Sequence, residues 1–127
     1  MERLEIRYKD AKRAIGTLRE ILQQPFSVIV RDAAIQRFEY TFEAFWKFIK
    51  EYLKTKEGVI SNSPKSCFRE VFTVGMINED ETIKLLEMTD NRNMTSHTYK
   101  EEVAQIIYGK LEEYSRLMED VIGRFKV

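Results

Sequence analysis

Arg92, Asn93, His97 and Tyr99 stand together in "NRNMTSHTYKEE" (91–102), which holds the only histidine of a 127-residue chain. These residue types could cleave a phosphodiester. Arginine offers a fixed fork of donors to a phosphoryl oxygen. Imidazole titrates around pH ~6.5, so histidine can take or give a proton near neutrality. An amide such as that of Asn93 can orient a reacting group. With a ribose 2′-hydroxyl as nucleophile, the set would suffice for RNA cleavage without a metal. In continuous helix Arg92 and His97 would lie about 140° apart around the axis and face away from each other. Across a helix break they can converge. Spacing alone also admits a plainer alternative, in which Arg92 pairs with Asp90 or Glu87 and His97 makes a local loop bond.

Other chemistry finds little support. The chain has no GxxxxGK[ST], GxGxxG or HExxH segment, so the common phosphate-cradling and zinc-protease motifs are missing. One His and one Cys cannot build the usual Cys/His zinc site, and the histidine is not in a Glu-x-x-His pair of the kind bundle metal sites use. No GxSxG elbow accompanies a serine. Cys67 falls on an apolar helical stripe and reads as a small buried hydrophobe. No cofactor is expected.

The residues that must position the loop read as helices. Hydrophobic residues make up 43% of the chain and charged residues 33%, with 5 Gly and 2 Pro, a composition of helical globules rather than disorder. Leu4, Tyr8, Ala11, Ile15, Leu18 and Leu22 form one stripe of a first helix over about 3–23, which Pro25 ends. A second helix, about 30–56, carries Ile35, Phe38, Phe42, Phe45, Trp46, Ile49 and Leu53 on one face, widened by Phe48 and Tyr52. Arg37, Glu39, Glu43, Lys47, Lys50, Glu51 and Lys54 fill the opposite arc. So wide an apolar face should pack against more than one neighbour, and a second chain could supply part of that packing. After a connection at 56–66, Ser63 and Pro64 start a third helix. Cys67, Phe68, Val71 and Phe72 repeat along it, and Gly75 stops it. Asn78 with Glu79, Asp80 and Glu81 opens a fourth, with acids suited to the helix dipole and Ile83, Leu86 and Met88 expected inside. Arg92 falls in its last turn. Thr98 and Glu101 have capping-box spacing for a fifth helix, whose stripe is Val103, Ile107, Leu111, Tyr114, Met118, Val121 and Phe125. The expected fold is all-α, an antiparallel up-and-down bundle of about five helices in one domain, 1–127.

Lys plus Arg number 21, as do Asp plus Glu, so no overall basic field draws nucleic acid or an anionic membrane. Any RNA contact must come from a local patch. The longest uncharged run, 21–30, is broken by Pro25 and far shorter than the ~20 residues of a membrane span. The charged amphipathic start is unlike a secretory signal, and the single cysteine suits a reducing cytoplasm.

"RNMTSHTY" (92–99) resembles the R-x4-H-x-Y motif of the HEPN superfamily (higher eukaryotes and prokaryotes nucleotide-binding). The likeness is most specific to its nucleotidyltransferase substrate-binding branch. "IQRFEYTFEAFWKFIKEYL" (35–53), "NSPKSCFREVFTVGMI" (62–77) and "LLEMTDNRNMTSHTYKEEVAQIIY" (85–108) are similar to three blocks of that family in order and spacing. The likeness covers roughly 28–120. It implies a helical bundle that dimerises with its motif loops facing, and a separate minimal nucleotidyltransferase as partner. It also implies two alternative roles: a toxin with metal-independent ribonuclease activity, or a non-catalytic substrate-binding or regulatory subunit of the nucleotidyltransferase. By the same resemblance Arg92 and His97 would be catalytic, Asn93 supporting, Tyr99 the acceptor of AMP, and RNA a further partner.

Overall fold

Apolar periodicity and well-placed caps build five α-helices over the described residues, 2–127, in a computed structural model. They are α1 (Glu2–Leu22), α2 (Val28–Tyr52), α3 (Pro64–Thr73), α4 (Glu79–Asn93) and α5 (Glu101–Ile122). No strand occurs among these residues, and no helix is long and apolar enough to cross a membrane.

The caps follow local chemistry. Ser27 Oγ accepts from the Val30 amide at 3.0 Å, and Ser63 Oγ from the Ser66 amide at 3.3 Å with Pro64 in the first turn. Both satisfy amides that a helix start leaves without partners. Asn78 and Glu81 form a reciprocal capping box, at 2.8 and 3.0 Å. Glu81 is also gripped by both terminal nitrogens of Arg124, at 2.8 and 2.5 Å, and that pairing holds its carboxyl below the ordinary carboxylate range. At the end of α3, Gly75 takes φ 83°, left-handed backbone that glycine enters freely. α2 does not run regularly to residue 56. It ends at Tyr52 and loosens into a π-helical turn, Leu53–Glu57, closed by Gly58 at φ 68°.

Cross-helix contacts set the directions. Thr17 with Tyr40, Ala14 with Thr41 and Tyr8 with Phe48 pair rising with falling numbers, so α1 and α2 are antiparallel. Arg31 with Glu101, Phe38 with Tyr114 and Phe48 with Phe125 rise together, so α2 and α5 run parallel. The wide face of α2 lies at the centre. Phe38, Phe45, Phe48, Ile49 and Leu53 are fully buried, and α1, α3, α4 and α5 all pack on this helix. The neighbours expected for that face are therefore supplied within the chain.

Two buried positions differ from the expected pattern. Ile83 is 56% exposed, and α4 instead buries Thr82, Leu85, Met88 and Thr89. The threonines hide there because each hydroxyl donates to the carbonyl four residues back, Thr82 to Asn78 at 2.8 Å and Thr89 to Leu85 at 2.9 Å. A residue that reads as polar thus sits on the inner face. Phe72 is likewise exposed.

Candidate functional site

The break that could bring the motif together is present. α4 ends at Asn93, a single 3-10 turn spans Met94–His97, and α5 begins at Glu101. The expected capping box at Thr98 does not form. Thr98 lies in right-handed helical backbone (φ −73°, ψ −4°), and its hydroxyl donates back to the Thr95 carbonyl at 3.0 Å. Lys100 stands at the cap position without a side-chain bond, and Glu101 turns instead to the buried Arg31 of α2. A buried guanidinium outcompetes an exposed amide for the carboxylate because its desolvation must be compensated.

Arg92 is built into the bundle rather than free in the loop. Its Nη1 donates to Thr95 Oγ1 at 3.1 Å and lies 3.8 Å from Glu39 Oε2, while Nη2 lies 3.6 Å from Glu43 Oε1. The Thr95 hydroxyl is 2.8 Å from the Arg92 carbonyl and 3.0 Å from Glu39 Oε2, either of which can take its proton. Arg92 Nε is buried and makes no hydrogen bond among the described residues. Neither Asp90 nor Glu87 is the arginine's partner. Asp90 pairs with Lys65 at 2.6 Å, and Glu87 accepts from the Tyr114 hydroxyl at 2.6 Å. Tyr114 also takes a bond from Asn91 at 2.6 Å, which ties the end of α4 to α5. Burial and the neighbouring Glu87 push the Tyr114 hydroxyl's titration upward, so it stays a neutral donor.

His97, Asn93 and Tyr99 are exposed. The His97 and Tyr99 rings meet edge to face with centroids 6.1 Å apart, and Tyr99 is 77% exposed with Lys100 Nζ 5.9 Å from its ring centre. A shallow hollow of about 320 Å³ beside Tyr99 is lined by Asp32, Ile35, Gln36, Glu39 and Thr98. The structure thus joins His97 to Tyr99 and Arg92 to α2, and no hydrogen bond or ion pair links Arg92 to His97 among the described residues. Glu39, Glu43 and Thr95 were not singled out by motif reading. Their one signal is the four-residue spacing of two acids on the polar arc of α2.

The class of protein so defined is an all-α bundle of five helices, with the R-x4-H-x-Y segment laid across the break between the last two. The chain belongs to the family described as nucleotidyltransferase substrate binding protein like, whose model matches residues 6–126. A Haemophilus influenzae protein described as a probable ribonuclease HepT is 31% identical over 85 residues, covering 64% of this chain. The match spans 57% of that relative's length. A crystal structure of a Thermus thermophilus protein is 48% identical, with a TM-score of 0.87 over 90% of this chain and 97% of that one. A tri-AMPylated Shewanella oneidensis HEPN toxin in complex with its MNT antitoxin shares the fold, with a TM-score of 0.74, 17% identity, and coverage of 95% and 94%.

Proposed function

We propose that this protein is a metal-independent endoribonuclease of the HEPN toxin type, partnered by a minimal nucleotidyltransferase that restrains it in the cytoplasm. The observation that carries the reading is the intact Arg92–His97–Tyr99 segment at a helix break, with His97 exposed and Arg92 held by α2. The Haemophilus relative, described as a probable ribonuclease, and the Shewanella toxin–antitoxin complex support it. In this reading the His97 imidazole takes the 2′-hydroxyl proton and the freed oxygen attacks phosphorus. An imidazolium then protonates the departing 5′-oxygen, leaving a 2′,3′-cyclic phosphate. Arg92 balances the charge building on phosphorus, and Asn93 supports the group's orientation. Cleavage of RNA by purified protein, compared with His97→Ala, tests it.

The second reading, a non-catalytic substrate-binding or regulatory subunit, draws on one feature of the site. Arg92 spends its contacts on Glu39, Glu43 and Thr95, not on the open face beside His97. An arginine so engaged serves architecture as readily as catalysis.

The ribonuclease reading needs a homodimer that sets two motif loops across one cleft. Beside the loop, Met94 (43% exposed) and Ile106 (62%) join Val103 and Ile107 around a small apolar hollow, a surface suited to a second copy. Light scattering at micromolar concentration should give the dimer mass, and Ile106→Asp should shift it toward monomer. A monomer mass for the unmodified protein would remove the composite site.

Tyr99 is the expected AMP acceptor. Its hydroxyl oxygen would attack the α-phosphorus of ATP and release pyrophosphate, leaving an anionic, bulky group against His97. Incubation with the cognate nucleotidyltransferase and ATP should add AMP at Tyr99 by mass spectrometry and silence RNA cleavage. Modification elsewhere, or none, would count against this role.

A further inference from the structure

The chain is neutral overall, yet its charges are not evenly spread. Arg3 and Arg7 on α1 face Lys47 and Lys50 on α2, and Lys54 follows in the π-helical turn. With Trp46 and Glu51 these residues line a groove of about 220 Å³. Five cations meet one carboxylate there, and Glu51 is already engaged by the Thr55 hydroxyl at 3.1 Å. Among the described residues, Arg3, Arg7, Lys50 and Lys54 make no ion pair, whereas most other arginines at helix contacts do. The half-buried Trp46 ring lies at the groove wall with Lys50 Nζ 5.8 Å from its centre. Cations along a track with an aromatic face beside them suit a single-stranded nucleic acid, whose phosphates and bases need those two features.

The groove also leads somewhere. Trp46 Nε1 donates to Glu43 Oε2 at 3.1 Å, Lys47 Nζ lies 3.9 Å from the same atom, and Glu43 Oε1 lies 3.6 Å from Arg92. One side chain therefore separates the basic track from the candidate catalytic arginine. From Glu43 to Lys54 the chain advances about 16 Å at 1.5 Å per residue, room for a short run of nucleotides.

We propose that this α1–α2 groove is a binding track for single-stranded RNA, with Trp46 as a stacking platform, guiding the strand toward the Arg92–His97 loop. This rests on the ribonuclease reading only for the strand's destination. Binding can be tested without cleavage. A labelled 2′-O-methyl oligonucleotide has no free 2′-hydroxyl to attack, so anisotropy reports affinity alone. Trp46 is the sole tryptophan, so quenching of its fluorescence reports the site.

The oligonucleotide should quench Trp46 and bind more weakly as salt rises. Arg7→Ala/Lys50→Ala should weaken binding roughly tenfold or more and lower the log–log salt slope by about 1.4, since each single-strand phosphate contact contributes about 0.7. Trp46→Leu should cost roughly fivefold to a hundredfold, the range for one base–aromatic stack. Lys110→Ala/Arg116→Ala removes the same charge from α5 and should change neither quantity. Circular dichroism should show equal helix in all variants. If the groove double variant binds like the unmodified protein with the same salt slope, the track is wrong even where RNA cleavage is observed. Anionic vesicles that quench Trp46 where the oligonucleotide does not would also overturn it. Loss of binding in the groove variants, in a protein that cleaves no RNA, would uphold the track and defeat the ribonuclease reading.

Discussion

Protein carrying His97→Ala, purified without its nucleotidyltransferase, should leave single-stranded RNA intact under conditions where the unmodified protein cleaves it. Losing a proton-transfer group costs about 10²–10⁴ in rate, far beyond any effect of an exposed substitution on folding. His97 is exposed and its ring meets that of the equally exposed Tyr99, so thermal stability should barely move. Arg92→Ala should lose cleavage as fully. It also strips Glu39 and Glu43 of their shared cation and leaves two like charges four residues apart on α2, a small added cost. Arg92→Lys separates the two effects. A lysine keeps a positive charge between the acids and so preserves stability, yet lacks the planar fork that matches a phosphoryl group; cleavage should still fail. Growth inhibition should vanish with cleavage in each variant, and EDTA should change nothing. If the unmodified protein leaves RNA intact, or cleaves it only with added divalent metal, the substrate-binding-subunit reading takes over.

Phe38→Ala should lower the free energy of unfolding by about 3–5 kcal/mol, the usual cost of emptying a buried phenylalanine site. Against a typical total of about 5–15 kcal/mol, that loss brings the bundle close to unfolding at 37 °C. Phe38 is fully buried, stacks on Tyr114 with centroids 5.9 Å apart and touches Phe42 at 6.3 Å. Tyr114 in turn holds Glu87 and Asn91 near the end of α4, so the cavity should loosen the segment that carries Arg92. Urea unfolding would show the midpoint fall with little change in slope. Ile29→Ala, at a residue 83% exposed, should cost almost nothing. A Phe38→Ala loss below about 1 kcal/mol would mean that this aromatic centre is not the main source of stability.

Much of this molecule can be read from its amino acids because the relevant physics is local. Ser63 as a cap, Asn78 with Glu81, Pro64 in a first turn and Gly75 in left-handed backbone each satisfy nearby groups or a backbone angle. The stripes of α1, α2 and α5 are long and apolar, so their inner faces follow from a period of 3.6. Where the stripe is thin, tertiary packing decided. In α4 the expected Met88 is buried but Ile83 faces outward, and Thr82 and Thr89 lie inside because they conceal their hydroxyls on their own backbone. Competition between partners decided the start of α5, where Glu101 went to Arg31 instead of a cap.

The site divides along the same line. That Arg92 and His97 stand on either side of a helix break follows from the sequence itself, through the loss of periodicity between two amphipathic runs. That Arg92 is clasped by Glu39, Glu43 and Thr95 does not, and neither does the way Arg3 and Arg7 meet Lys47 and Lys50 across a groove. Periodicity reports which residues share a face of one helix. It carries no information on how two helices are turned and slid against each other, and that relative placement, set by the packing of the whole aromatic core, is what brings distant charges together.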